Sequence, residues 1–196
     1  MRQINLFILN TLFLLFAPLS AADWMVTPSV GYTLGGKVLD QAGRQYDLEN
    51  SSSYALAIET TYDNGRIGLF YSTQATEVQT LVNQDASIHY LHFQSSIYYP
   101  VAEKLSSFIG LGIGGAYTDV AWADKKFGFS AGAFGGVEYR VASNVALNAQ
   151  LRWLGTMVDN DSSAICTLPS SESCVVKFKS DWLNQASAYV GFTIRF

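Results

Sequence analysis

The chain has 196 residues, 49% of them hydrophobic, with 12 basic and 16 acidic side chains and a net charge of −4 at pH 7. That balance excludes nucleic-acid binding, which needs a basic face. Beyond the first 22 residues no apolar run is long enough for a helix to cross a bilayer, so a spanning chain must cross as strands.

The front of the chain reads as an export signal. Arg2 is followed by an apolar run from Ile4 to about Pro18 and then by Ser20, Ala21 and Ala22. A charged start, an apolar middle and small residues at the cut are the layout of a secretory signal peptide. Asn5 and Asn10 interrupt the run, which argues against a membrane anchor. The expected organisation is a signal peptide over 1–21 and one domain over 22–196, with cleavage after Ala21 or Ala22. No cysteine lies near the cut, so a lipid anchor is not suggested. The mature chain keeps 11 basic and 16 acidic residues, a net charge of −5.

Eight segments then alternate apolar and polar residues, as strands with one greasy face do. They run over 24–34, 53–62, 66–74, 88–99, 107–117, 127–140, 145–154 and 182–196. Most are ~9–14 residues long, close to what a strand tilted by about 45° needs to cross the hydrocarbon. Short turns fall at Asp63-Asn64-Gly65, which carries the Asn-Gly hairpin signal, at Pro100–Leu105 and at Val141–Asn144. Longer polar links alternate with them: Gly35–Ser52, Ala75–Ser87, Thr118–Lys126 and Gly155–Asp181. Outer-membrane barrels show this alternation, with the short turns on the periplasmic side. The fold class expected is all-β, an eight-stranded antiparallel up-and-down transmembrane barrel.

Assigning faces by alternation puts residues such as Val30, Leu56, Leu69, Leu91, Leu111, Phe129, Leu151 and Val190 outward. Outward positions near the short turns include Trp24, Tyr62, Tyr99, Tyr139 and Phe196. Those near the long links include Tyr54, Tyr71, Tyr117, Phe127, Trp153 and Trp182. Two aromatic belts follow, at the heights where amphipathic rings favour the membrane interface. A soluble eight-stranded barrel would turn its apolar face inward and would have no reason for rings at both rims.

The last strand, Val190-Gly191-Phe192-Thr193-Ile194-Arg195-Phe196, places an aromatic residue at the end of a greasy face. The run Phe127-Gly128-Phe129-Ser130-Ala131-Gly132-Ala133-Phe134-Gly135-Gly136-Val137-Glu138-Tyr139-Arg140 is followed by a short turn and then Asn148-Ala149-Gln150-Leu151-Arg152-Trp153. On these residues the mature chain resembles the small outer-membrane β-barrels that include the opacity-type surface proteins and the OmpA transmembrane domain. The resemblance implies the fold. It is a poor guide to activity, because such barrels serve adhesion, membrane anchoring, small pores and a few lipid-modifying reactions.

Inside such a barrel the expected side chains are Glu59, Arg66, Glu138, Arg140, Gln150, Arg152 and Arg195, with Gln94 and Asn148. Eight strands leave an interior just wide enough for side chains to fill. Glu59 and Arg66 flank the first tight turn and can face each other across that hairpin. Buried charge is costly without a partner, so each carboxylate should have a guanidinium close by. The network is expected to be a static polar plug, with a gate for small ions as the alternative. Inward Phe70, Tyr90, Tyr98, Phe108, Phe134 and Tyr189 favour the filled interior.

Three further patterns bear on chemistry. Gly110–Gly115 fits the dinucleotide G-x-G-x-x-G and Gly128–Gly132 fits G-x-S-x-G, yet both lie inside alternating strands rather than at strand-to-helix turns. His89 and His92, spaced by three, fall on opposite faces of one strand and cannot share a metal. Asp159-Asn160-Asp161 reads as a solvated acidic tip rather than a cation site. No catalytic, cofactor or metal residue is assigned. Cys166 and Cys174 share the last long link, and two cysteines in an exported chain most often pair. Two free thiols are the alternative.

The expected function is that of a non-enzymatic outer-membrane surface protein acting through its long loops, with a largely filled lumen. A narrow channel and a lipid-modifying enzyme are the alternatives. The expected partners are outer-membrane lipid and lipopolysaccharide, an extracellular ligand, and the barrel-assembly machinery through the C-terminal strand. No nucleic acid is expected, and the barrel should be monomeric.

Overall fold

The structure is a computed structural model that describes residues 23–39, 45–78, 84–119, 126–157, 163–167, 173–177 and 182–196. The export signal over 1–21 and the tip Asp159-Asn160-Asp161 lie outside them. Among these described residues there are twelve strands: β1 Trp24–Leu34, β2 Lys37–Leu39, β3 Gln45–Asp47, β4 Ser51–Tyr62, β5 Gly65–Val78, β6 Gln84–Ala102, β7 Leu105–Asp119, β8 Phe127–Arg140, β9 Val145–Met157, β10 Ser163–Thr167, β11 Ser173–Lys177 and β12 Trp182–Arg195. No helix occurs among the described residues.

Eight of these strands close into one barrel in the order β1-β12-β9-β8-β7-β6-β5-β4, each antiparallel to its neighbours. Chain neighbours are sheet neighbours, and β12 closes on β1, so the barrel is up-and-down as expected. Closure leaves no unpaired edge, which hydrocarbon would not tolerate. The remaining strands form two small hairpins, β2 with β3 and β10 with β11, inside the first and last long links.

The eight strands coincide in place with the segments read from alternation, but several extend further toward the long-link end. β6 reaches from Gln84 to Ala102 and β5 runs on to Val78. There the two strands stay paired from Gly65↔Ile97 up to Val78↔Gln84. The ladder continues through Ala75–Val78 and Gln84–Ser87, where the sequence alternation has faded. The first tight turn is centred on Asp63 and Asn64, with Tyr62 paired to Gly65. Asp63 supplies the left-handed residue at φ 50°. Gly65 is instead a strand position, where a Cβ would collide with the Ser96 carbonyl of β6.

Burial follows the period of two. Every barrel strand exposes a large apolar residue on its outer face: Val30 (54%), Leu56 (37%), Leu69 (51%), Leu91 (55%), Leu111 (68%), Phe129 (50%), Leu151 (69%) and Val190 (59%). The alternate positions point into the lumen, and most of those away from the short-turn mouth are buried. Room for long side chains comes partly from glycine. A Cβ at Gly110 on β7 would overlap the Phe134 ring of β8 and the Ser95 carbonyl of β6.

Candidate functional site

The lumen is the candidate site, and it is layered. Near the short-turn end Arg66 on β5 reaches across to Glu138 on β8. Its two terminal nitrogens donate to the two carboxylate oxygens at 2.8 and 2.6 Å. This fork-to-fork geometry is the strongest form of the pair. Thr193 donates to the same carboxylate at 3.1 Å and lies 3.0 Å from the Thr27 hydroxyl. The Arg66 guanidinium also lies 4.2 Å above the Tyr98 ring, which stacks on Phe108.

Glu59 does not take Arg66 as its direct partner, contrary to expectation. The hairpin register sets Glu59 opposite Gly68 and Arg66 opposite Thr61, so the two are offset along the barrel axis. Glu59 instead accepts from the Gln94 amide at 2.8 Å, and Gln94 accepts from Arg152 at 2.6 Å. A single amide thus joins a buried carboxylate to a buried guanidinium. Arg152 is held between two rings, 3.6 Å from the Phe70 centroid and 4.1 Å from that of Phe134. The planar, delocalised cation suits that slot. Gln150 and Asn148, also expected inside, line a small cavity beside Glu59 and Gln94.

Above this layer the lumen carries hydroxyls and amides. Tyr90 donates to Gln185 at 2.5 Å, Ser130 donates to the Gly155 carbonyl at 3.0 Å, and Thr33 bridges Ser53 and Ser187 at 3.0 and 2.8 Å. His92 is fully buried here, while His89 faces outward and meets the Tyr71 hydroxyl at 2.9 Å. The two histidines therefore sit on opposite faces. Ser130 is a lumen hydroxyl in mid-strand, and the Gly110–Gly115 run lies within β7.

Toward the long-link end buried apolar side chains join the polar Thr33, Ser53, Gln74 and Thr76 in the lining. Ile88, Tyr90, Ala116 and Leu154 form one buried cluster, and Leu48 from the first long link packs against it. That link is fastened by Leu48 N–H to the Gly36 carbonyl at 2.9 Å and by the Thr76 hydroxyl to the Glu49 carbonyl at 2.7 Å. Neither Leu48 nor the apolar cluster was singled out in the sequence. Ile88, Ala116 and Leu154 are spaced like any inward residues, and only their convergence marks them.

Arg140 and Arg195 stand apart from the network. Both lie on lumen-facing positions but are exposed at the short-turn mouth, and no carboxylate pairs with either among the described residues. The ring residues expected at the rims point outward: Trp24, Tyr54, Tyr62, Tyr71, Tyr99, Tyr139, Trp153, Trp182 and Phe196 are exposed, and Tyr117 is half-buried. Tyr117 packs near Phe127, ring centroids 4.8 Å apart, and beside His89. Cys166 and Cys174 are directly opposite in the β10–β11 ladder.

No known family's sequence profile matches the chain, and no curated protein does. Solved structures do. Neisserial surface protein A superposes with a TM-score of 0.60 at 12% identity, over 88% of this chain and 97% of that one. Ail, the attachment invasion locus protein of Yersinia pestis, matches with a TM-score of 0.48 at 16% identity, over 89% and 99% of the two chains. Outer membrane protein H of P. aeruginosa matches at 0.45 and 15%, over 89% and 100%. At such identities the likeness to Neisserial surface protein A speaks for fold alone. The chain has the fold of a small eight-stranded up-and-down β-barrel, polar within and apolar without.

Proposed function

We propose that the protein is an integral outer-membrane barrel with a closed lumen, which works through the surface its long links present outside the cell. The observation that carries this reading is the inverted polarity of the barrel. All eight strands expose a large apolar residue, whereas the buried face holds Glu59, Arg66, Arg152, Gln94 and His92. A soluble barrel has the opposite arrangement, and hydrocarbon is the solvent that satisfies this one.

The lumen supports a structural plug rather than a channel. Arg66, Glu138, Glu59, Gln94 and Arg152 occupy its lower half, and Leu48 packs against Ile88 and Leu154 in its upper half. The proposed role is non-enzymatic. Ser130 and His92 belong to this packed interior, and His89 lies on the other face of its strand.

The long links are the proposed interaction surface, in contact with lipopolysaccharide and an outside ligand, while the short turns face the periplasm. β12, which closes the barrel, is the proposed handle for the assembly machinery. A bridge between Cys166 and Cys174 is part of the proposal. Opposed residues in an antiparallel ladder have Cα atoms about 4.5–5.5 Å apart, within the span of a disulfide. Thiol counting on the unreduced protein should find no free cysteine.

Fractionation of expressing cells tests the location. The protein should sediment with outer membranes and resist carbonate extraction. A cysteine-free variant with one cysteine placed in the Gly155–Asp181 link should be labelled on intact cells by an impermeant maleimide. Recovery in the soluble fraction, or labelling only after lysis, would refute the reading.

A further inference from the structure

The lumen is not charge-balanced. Among the described barrel-strand residues that face it, four are arginines, Arg66, Arg140, Arg152 and Arg195, and two are carboxylates, Glu59 and Glu138. Glu138 is saturated by Arg66 and Thr193, and Glu59 is tied through Gln94 to Arg152. The surplus cations are therefore Arg140 and Arg195. They line the same cavity, of about 40 Å³, at the short-turn mouth. Its wall also holds Ser143 and Asn144 of the β8–β9 turn, and its floor is the Arg66–Glu138 pair.

Among the described residues the one carboxylate side chain in that wall is Glu138, already engaged on both oxygens. Arg195 donates weakly to the Met25 sulfur at 3.9 Å. Two guanidinium forks stand there beside a hydroxyl and an amide, and neither guanidinium has a carboxylate of its own among the described residues. A low-dielectric barrel wall behind them focuses their field on whatever enters. Guanidinium forks match the oxygens of phosphate two at a time. A tetrahedral phosphate, with four oxygens, uses more of these donors than a carboxylate does.

We propose that the short-turn mouth of the barrel binds a phosphate group, gripped by Arg140 and Arg195. The shared chemistry is the phosphoryl oxyanion, whether carried by a free phosphate or by the headgroup of a neighbouring anionic lipid. The proposal does not depend on what the long links bind.

The test uses the mature chain refolded in a phosphate-free maltoside detergent. Inorganic phosphate is titrated at constant ionic strength and followed by its phosphorus resonance. In parallel, the protein is passed through mixed micelles of phosphatidylglycerol and the retained lipid is counted by native mass spectrometry. The double variant Arg140→Gln/Arg195→Gln is compared with Lys104→Gln, which removes one cation from an adjacent turn outside the cavity. Slowed migration on heating, the mark of a folded barrel, checks each sample. Saturable phosphate binding that weakens at least tenfold in the double variant, and less than twofold in Lys104→Gln, supports a free phosphate as occupant. Lipid retained by the wild type and lost from the double variant, without phosphate binding, supports the headgroup. Equal behaviour of wild type and double variant in both arms overturns the proposal. An equal loss in Lys104→Gln does so too, by reducing the effect to net charge.

Discussion

Arg66 and Glu138 are 72 residues apart in the chain and meet across the lumen through two parallel hydrogen bonds of 2.8 and 2.6 Å. They join β5 to β8, strands separated in the barrel wall by β6 and β7. The pair is therefore a strut across the barrel. Replacing Glu138 by Gln leaves the Arg66 cation nearly buried without its counter-charge. That should cost about 3 kcal/mol of stability, the low end for breaking a buried pair because Glu138 keeps some exposure. Urea unfolding in lipid vesicles measures it, and an unchanged midpoint would mean the strut is ornamental.

Arg152 makes a different demand. Its guanidinium is pressed between Phe70 and Phe134 and donates to Gln94. Lysine carries the same charge as a compact ammonium, with no plane to stack on either ring. Arg152→Lys should therefore destabilise the barrel by about 2 kcal/mol although no charge is lost. Equal stability of the two proteins in the same unfolding assay would show that charge alone matters here.

How much of this was legible in the sequence divides along one line. Period-two alternation is a local property, so the faces of all eight strands could be read, including the opposite placement of His89 and His92. The pairing inside the lumen is not local. Arg66 and Glu59 flank one turn and look like partners, yet the register offsets them and barrel closure delivers Glu138 instead. The surplus of Arg140 and Arg195 becomes visible only once both carboxylates have been assigned. Leu48 sits in a polar link with no periodic pattern, and its packing against the apolar cluster depends on how the link folds back. β2 and β3, three residues each, are too short for alternation to register.

Leu111 lies at the middle of β7 on the outer face and is 68% exposed. On a soluble protein, arginine at such a site would be nearly neutral. In the middle of a bilayer it should cost about 2–4 kcal/mol. Leu111→Arg, unfolded from vesicles, separates the two surroundings, and a change within the error of the assay would argue against hydrocarbon at that face.

Asp119 and Lys126 face each other at 2.8 Å across the third long link. The hydrogen bond from the Lys126 ammonium, helped by its charge, holds the Asp119 carboxyl below its ordinary 3.8. A lowered carboxyl pKa favours the folded state above the ordinary value, and that contribution fades as pH falls through the lowered one. Both groups are exposed, so global stability should not move measurably in Lys126→Gln. The effect should appear locally instead. The Asp119 carbon resonance should titrate below 3.8 in the wild type and rise in Lys126→Gln. Identical titrations would show that the pair does not persist in solution.

Conductance of the refolded mature protein in a planar bilayer addresses the closed lumen most directly. With the lower lumen filled by the Arg66–Glu138 and Glu59–Gln94–Arg152 groups and Leu48 packed against Ile88 and Leu154 in the upper half, correctly folded protein should give no steps. Glu138→Gln should stay silent as well. Reproducible small steps from folded wild-type protein, larger in Glu138→Gln, would contradict the plug and make the ion pair a gate.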